Sequence, residues 1–103
     1  MQLVVGALAA YLEVALVFAF IYAGVIEATS APFFSQGEAG VPEVLYFSVV
    51  TITTLGYGDL TPATDTGRAL VMIETLFGQI FLVVLVAYLV GSLGSRRTTV
   101  RGR

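Results

Sequence analysis

Residues 42–59 read PEVLYFSVVTITTLGYGD, and this stretch decides the fold. Pro42 suits a first helical turn, where its missing N–H is no loss, and Glu43 complements the positive end of a helix dipole. A helix over 42–53 follows from these signals. At about 1.5 Å per residue it is far too short for a hydrocarbon core of about 30 Å. Gly56-Tyr57-Gly58-Asp59 then breaks any regular structure. The stretch therefore reads as a short apolar helix running into an irregular segment.

The flanks are long and apolar. Residues 3–26 carry one internal charge, Glu13, and a helix of that length rises about 36 Å, enough to cross a bilayer with some tilt. A cleaved signal peptide fits less well, because no basic residue precedes Leu3 and the run exceeds an ordinary h-region. Residues 67–91 form the second long run, with Arg68 at its start, Glu74 and Gln79 inside it and Gly78 near its centre. Between the first run and Pro42 lies a loop, 27–41, rich in Ala, Ser and Gly. Residues 92–103 close the chain as a polar tail. The order is span, re-entrant helix, irregular segment, span. Two spans put both termini on one side, and Arg96, Arg97, Arg101 and Arg103 assign that side to the cytoplasm of the cell membrane.

Composition agrees. Hydrophobic residues make up 57% and charged residues 12% of the 103 positions, and mean hydropathy is +0.93. Ordinary globular chains carry about 25% charged residues. A chain this small buries too little surface to hide so much apolar area, so the excess must face lipid or further copies. The sequence has no Cys, His, Lys or Asn. That removes disulfides, thiolate metal sites and the commonest general base, so the chain is not expected to be an enzyme. No cofactor and no nucleic-acid partner are expected.

Irregular backbone at membrane depth is tolerated where it is buried in protein or lines a cavity. A cation entering a narrow path must exchange its hydration shell for other oxygens, and a ring of backbone carbonyls provides them without fixed charge. Gly56 and Gly58 can take positive φ, so alternating them with Leu55 and Tyr57 turns carbonyls one way and side chains the other. The C-terminal end of the short helix adds a negative pole. One chain cannot encircle an ion; four copies around an axis can.

The stretch from Tyr46 to Asp59, with Leu60, Thr61, Pro62, Gly67 and Arg68 beyond it, resembles the pore helix and selectivity filter of the two-span, pore-only bacterial potassium channels. The resemblance implies an all-α membrane protein, a single pore domain over 1–103, in which two transmembrane helices flank a re-entrant pore helix (42–53) and selectivity filter (54–59), assembled as a homotetramer in membrane lipid. It implies that Thr54, Leu55, Gly56, Tyr57 and Gly58 coordinate bound K+, the Thr54 hydroxyl adding an oxygen. Tyr57 packs outward on the pore-helix aromatics, and Asp59 sits at the outer mouth. Gln79, Leu82, Val86 and Val90 line the cavity, and Gly78 matches a glycine where the inner helix bends on opening. Three positions depart from the family pattern. Leu55 replaces a Val. Tyr46 and Phe47 stand where many relatives have Trp. Val50 stands where some have a Glu that pairs with the mouth Asp, so Asp59 is expected to lack that partner.

Several residues admit two readings. Glu13 is an interhelical hydrogen-bonding group or a sensor. Glu74 bonds behind the pore helix or adds charge near the cavity. Gly78 is a hinge or a site of close packing. Phe33 and Phe34 anchor at the membrane interface or pack the loop on its own domain. Asp65 and Arg68 pair across a subunit contact, and the acids Glu27, Glu38 and Glu43 make the outer vestibule negative. At the level of function the alternatives to a K+-selective pore are a weakly selective cation channel and a non-conducting membrane subunit.

Overall fold

The computed structural model describes residues 2–101, with side chains described through residue 94. It is all-helical: α1 (Gln2–Ala28), α2 (Val41–Ile52) and α3 (Asp65–Arg101), with no strand among the described residues beyond isolated bridges. Two of the helices, α1 and the Asp65–Gly94 part of α3, are long and apolar enough to cross a membrane; α2 is not. α3 continues past Gly91 into the stretch read as a tail, whose arginine side chains lie outside the described ones. The residues from Ser92 to Arg101 contain no Pro, so nothing there stops the helix.

α1 is apolar on every face but buries only one. Tyr11, Ala15, Phe18, Ala19 and Tyr22 recur at helical spacing and pack inward. Leu3, Val5, Leu8, Leu12, Leu16, Val17 and Phe20 remain exposed, as do Ile73, Leu76, Phe77, Ile80, Val83 and Val84 on α3. Surface of that kind on a soluble monomer would be untenable; on a membrane chain it is the face for lipid or further copies.

α2 starts where Gly40 donates its N–H to Glu43 Oε2 at 2.9 Å, half of a capping box, with Pro42 in the first turn. The loop before it folds back on the helices. Phe33 and Phe34 are 4% and 1% exposed. Their rings meet Tyr22 and Phe47 at centroid distances of 5.3 and 4.8 Å. The packing reading of these two aromatics therefore holds. The same loop ties down the segment after the irregular stretch. Ser35 N–H donates to Thr61 O at 2.8 Å, Ala63 N–H to Phe33 O at 2.7 Å, and Gln36 exchanges hydrogen bonds with Thr61. Asp65 and Arg68 approach to 3.9 Å within the first turn of α3, and both are exposed. Such a pair adds little stability.

Candidate functional site

α2 ends at Ile52, and every one of its last four carbonyls has a donor. Val49 O accepts from Thr53 N–H and the Thr53 hydroxyl. Val50 O accepts from the N–H groups of both Leu55 and Gly56, at 3.0 and 3.2 Å, and Thr51 O from Thr54 N–H. Ile52 O accepts from the Tyr11 hydroxyl of α1 at 2.8 Å. The negative pole of a helix dipole resides largely on unpaired terminal carbonyls. Here they are all paired, so the pole expected from the sequence is blunted.

The next residues show the opposite condition. No carbonyl from Thr54 to Gly58 accepts a hydrogen bond from any described residue. Their backbone alternates in sign: φ is 61° at Thr54, 55° at Gly56 and 84° at Gly58, and negative at Leu55 and Tyr57. Thr54 is the one non-glycine residue with positive φ among the described residues. A β-branched residue rarely sits there, and the turn formed by Leu55 and Gly56 on Val50 O holds it. The result is a single strand of five consecutive unpaired carbonyls. All five residues are exposed in the single chain.

Asp59 follows at the end of this strand; Val50 offers it no carboxyl partner, but a phenol does bond it. Tyr46 donates its hydroxyl to Asp59 Oδ2 at 2.8 Å, while Asp59 Oδ1 accepts the Leu60 N–H. Donation to that carboxylate holds the Tyr46 phenol above the ordinary tyrosine range. The role assigned to an acid at Val50 in relatives thus falls to a phenol at Tyr46, on the same helix. Tyr57 is 68% exposed and makes no ring contact with any described residue.

Behind the strand the three helices converge. Glu74 is fully buried and takes the reading in which it bonds behind α2. Its Oε1 lies 2.6 Å from the Tyr22 hydroxyl of α1, and its Oε2 2.6 Å from the Ser48 hydroxyl of α2. Gly78 backs onto the end of α2: a Cβ there would lie 2.6 Å from Ile52 Cγ1 and 2.7 Å from Ile52 O. Gly78 is therefore a site of close approach. On α3, Gln79, Val86 and Val90 are exposed, whereas Leu82 is half-buried against Tyr11, Ala15 and Ile52. Glu13 is exposed and has no hydrogen bond or ion pair with any described residue.

Sequence reasoning missed Tyr11, Tyr22, Ser48 and Tyr46 as partners. The available signal was the rule that a polar group inside a span needs another. Tyr22 lies in the C-terminal half of α1 and Glu74 in the N-terminal half of α3, the ends that meet near α2, and Ser48 is the one serine of α2.

Comparison with known proteins places this arrangement. The family described as "Ion channel" matches residues 7–94. Potassium voltage-gated channel subfamily A member 5 of Homo sapiens is 29% identical over 86 residues, 78% of this chain and 14% of that protein. Subfamily A member 2 of Xenopus laevis is likewise 29% identical over 86 residues, 17% of its length. The hyperpolarization-activated voltage-gated potassium channel of Methanocaldococcus jannaschii is 46% identical over 35 residues, 34% of this chain and 17% of that protein. The chain thus spans about a sixth of the length of these relatives. With three helices, two apolar enough to span a membrane, and a family match over most of its length, the chain is a membrane protein and belongs to the ion channel family.

Proposed function

We propose that four copies of this chain surround an axis and form a K+-selective pore, with the strand Thr54–Gly58 of each copy facing that axis. The observation that carries the reading is the contrast in carbonyls. Those at the end of α2 are saturated, and the five that follow are unpaired on a backbone of alternating φ. Unpaired carbonyls deep in a membrane protein need a ligand, and a dehydrated cation is the one that fits a ring of them. Thr54, Leu55, Gly56, Tyr57 and Gly58 then coordinate K+, helped by the Thr54 hydroxyl, and Asp59 stands at the outer mouth. The relatives named above, potassium channels all three, favour K+ over other cations.

The rest of the assembly follows from exposure. The Tyr57 ring, exposed in the single chain, packs against the short helix of an adjacent copy. Gln79, Leu82, Val86 and Val90 line the cavity below the filter, with Leu82 turning from its own α1 toward the axis as α3 rotates. Gly78 lets α3 bend, and bending separates it from Ile52. The arginines after Gly94 place both termini in the cytoplasm of the cell membrane.

The test is K+ flux through purified protein in liposomes, with the wild type beside Gly56→Asp. Flux driven by a K+ gradient and lost in the variant is the expected result. Equal flux in both proteins would remove the assignment of residues 54–58, and a reversal potential indifferent to K+ would replace selectivity by general cation conduction.

A further inference from the structure

Glu74 takes no part in the ion path proposed above, yet it is fully buried between three helices. Three oxygen–oxygen contacts run through it in series. Tyr22 Oη lies 2.6 Å from Glu74 Oε1, Glu74 Oε2 lies 2.6 Å from Ser48 Oγ, and Ser48 Oγ lies 2.6 Å from Ala15 O. A contact of that length needs a hydrogen between the oxygens; without one, lone pairs face each other. Tyr22 and Ser48 bring one hydroxyl hydrogen each. The Ala15 carbonyl brings none, and an ionised Glu74 brings none. Three contacts would then share two hydrogens.

The series closes if the missing hydrogen belongs to Glu74. A carboxylic acid O–H at Oε2 donates to Ser48 Oγ, Ser48 donates to Ala15 O, and Tyr22 donates to Oε1. Each contact has its hydrogen, and no buried side-chain polar atom is left unpaired, as observed among the described residues. The surroundings agree. Tyr22 of α1 and Ser48 of α2 are the side chains bonded to Glu74, and neither is a cation. Arg68, the one cation with a described side chain, is exposed in the first turn of α3 beside Asp65, six residues before Glu74, and makes no bond to it. A carboxylate with no counter-charge in so dry a place is strongly disfavoured.

We propose that Glu74 is a neutral carboxylic acid whose proton bridges α3 to the middle of α2, and that this bridge positions the Thr54–Gly58 strand. Ser48 is the hub, since it bonds α3 through Glu74 and α1 through Ala15. α2 carries the strand directly at its C-terminal end, so a rotation of α2 about its axis reaches the strand without attenuation. The positioning half of the proposal rests on the reading of residues 54–58 as the ion path.

Glutamine separates the protonated from the ionised case. Its Nε2 donates where the acid O–H does and its Oε1 accepts where the acid carbonyl does, so Glu74→Gln preserves the whole series. Leucine at 74 abolishes it. Ser48→Ala removes a single oxygen and leaves the acid without its acceptor.

The experiment uses the full chain reconstituted in lipid. Infrared difference spectra of wild type minus Glu74→Gln at neutral pH should contain the C=O stretch of a protonated carboxylic acid, and Ser48→Ala should shift that band. The K+/Na+ permeability ratio should stay within about twofold of wild type in Glu74→Gln and fall by about tenfold in Glu74→Leu and Ser48→Ala, the scale of leaving a buried polar group unpaired. Should Glu74→Leu fail to assemble, Ser48→Ala keeps the comparison decisive. Absence of the acid band overturns the protonated assignment. An unchanged permeability ratio in Ser48→Ala overturns the positioning role. If the wild type itself conducts no K+, the reading of residues 54–58 falls and takes the positioning role with it, while the infrared band still decides where the proton sits.

Discussion

Gly78→Ala tests whether α3 is a free lever or a helix locked against α2. The added Cβ would lie 2.6 Å from Ile52 Cγ1 and 2.7 Å from Ile52 O. Ordinary carbon contacts begin near 3.5 Å, so the helices must part by about 0.8 to 0.9 Å. The Ile52 side chain could give way in part. Its carbonyl cannot, because it is backbone and the Tyr11 hydroxyl holds it at 2.8 Å. Overpacking of this kind costs about 1–3 kcal/mol. Replacing Gly by Ala within a helix returns about 1 kcal/mol of propensity. With backbone on one side of the clash, the net loss falls near the upper end, about 2 kcal/mol per chain. Gly91→Ala is the matched control, since nothing lies within 4 Å of a Cβ there. It should be neutral or slightly stabilising. The assay is thermal denaturation of purified protein in detergent for wild type and both variants, paired with K+ flux in liposomes. The contact reading expects Gly78→Ala alone to melt early. If it melts with wild type and Gly91→Ala and only its flux changes, the close approach carries no energy and Gly78 acts purely as a bend.

Two further predictions concern the end of the molecule that carries Asp59 and the loop before α2. The Tyr46 phenol is held above its ordinary value of 10.0, chiefly by donating to Asp59, so the bond is intact below that value and is lost as pH rises through the raised one. Strongly alkaline solution on the outer side should therefore alter K+ current in wild type, by setting a phenolate beside the Asp59 carboxylate, and Tyr46→Phe should lack that alkaline phase; an identical alkaline phase in both proteins would disprove the link. Phe34→Ala removes a ring that is 1% exposed and packs 4.9 and 4.8 Å from Phe33 and Phe47. It should destabilise the fold by about 3–5 kcal/mol in detergent denaturation, and a loss below about 1 kcal/mol would mean that the loop is not packed as described.

The parts of the fold legible in the sequence are those set by local periodicity and length. Two apolar runs too long to hide, a Pro-Glu helix start and a Gly-Tyr-Gly break sufficed to expect two long helices around a short one. The supports of the site were less legible because they are relations between distant residues. Glu74 announced that a partner existed without saying which hydroxyl it was, and Tyr22 and Ser48 lie 52 and 26 positions away in sequence. The carboxylate partner of Asp59 is absent at Val50, as the sequence reads, but only the fold shows that the Tyr46 hydroxyl reaches Asp59 from one turn nearer the start of α2. The helix dipole was expected from α2 alone, and a side chain of α1 modifies it.

These supports share a logic. α2 is anchored at three depths, by Glu43 on Gly40 at its start, by Ser48 on Ala15 and Glu74 in the middle, and by Tyr11 and Gly78 on Ile52 at its end. The inward-facing apolar side chains of α2, Val44, Phe47, Val50 and Ile52, are buried as well, but its register is fixed by these directional bonds and the close approach. In lipid that choice follows from the solvent. Apolar packing gains little where the surroundings are equally apolar, whereas an unmet hydrogen bond has no water to turn to. A helix too short to span a membrane cannot be held by hydrophobic length, so its register must come from such directional bonds. That requirement explains why the polar residues of an otherwise apolar chain collect behind α2, within reach of the strand they hold, while the outer faces of α1 and α3 carry almost none.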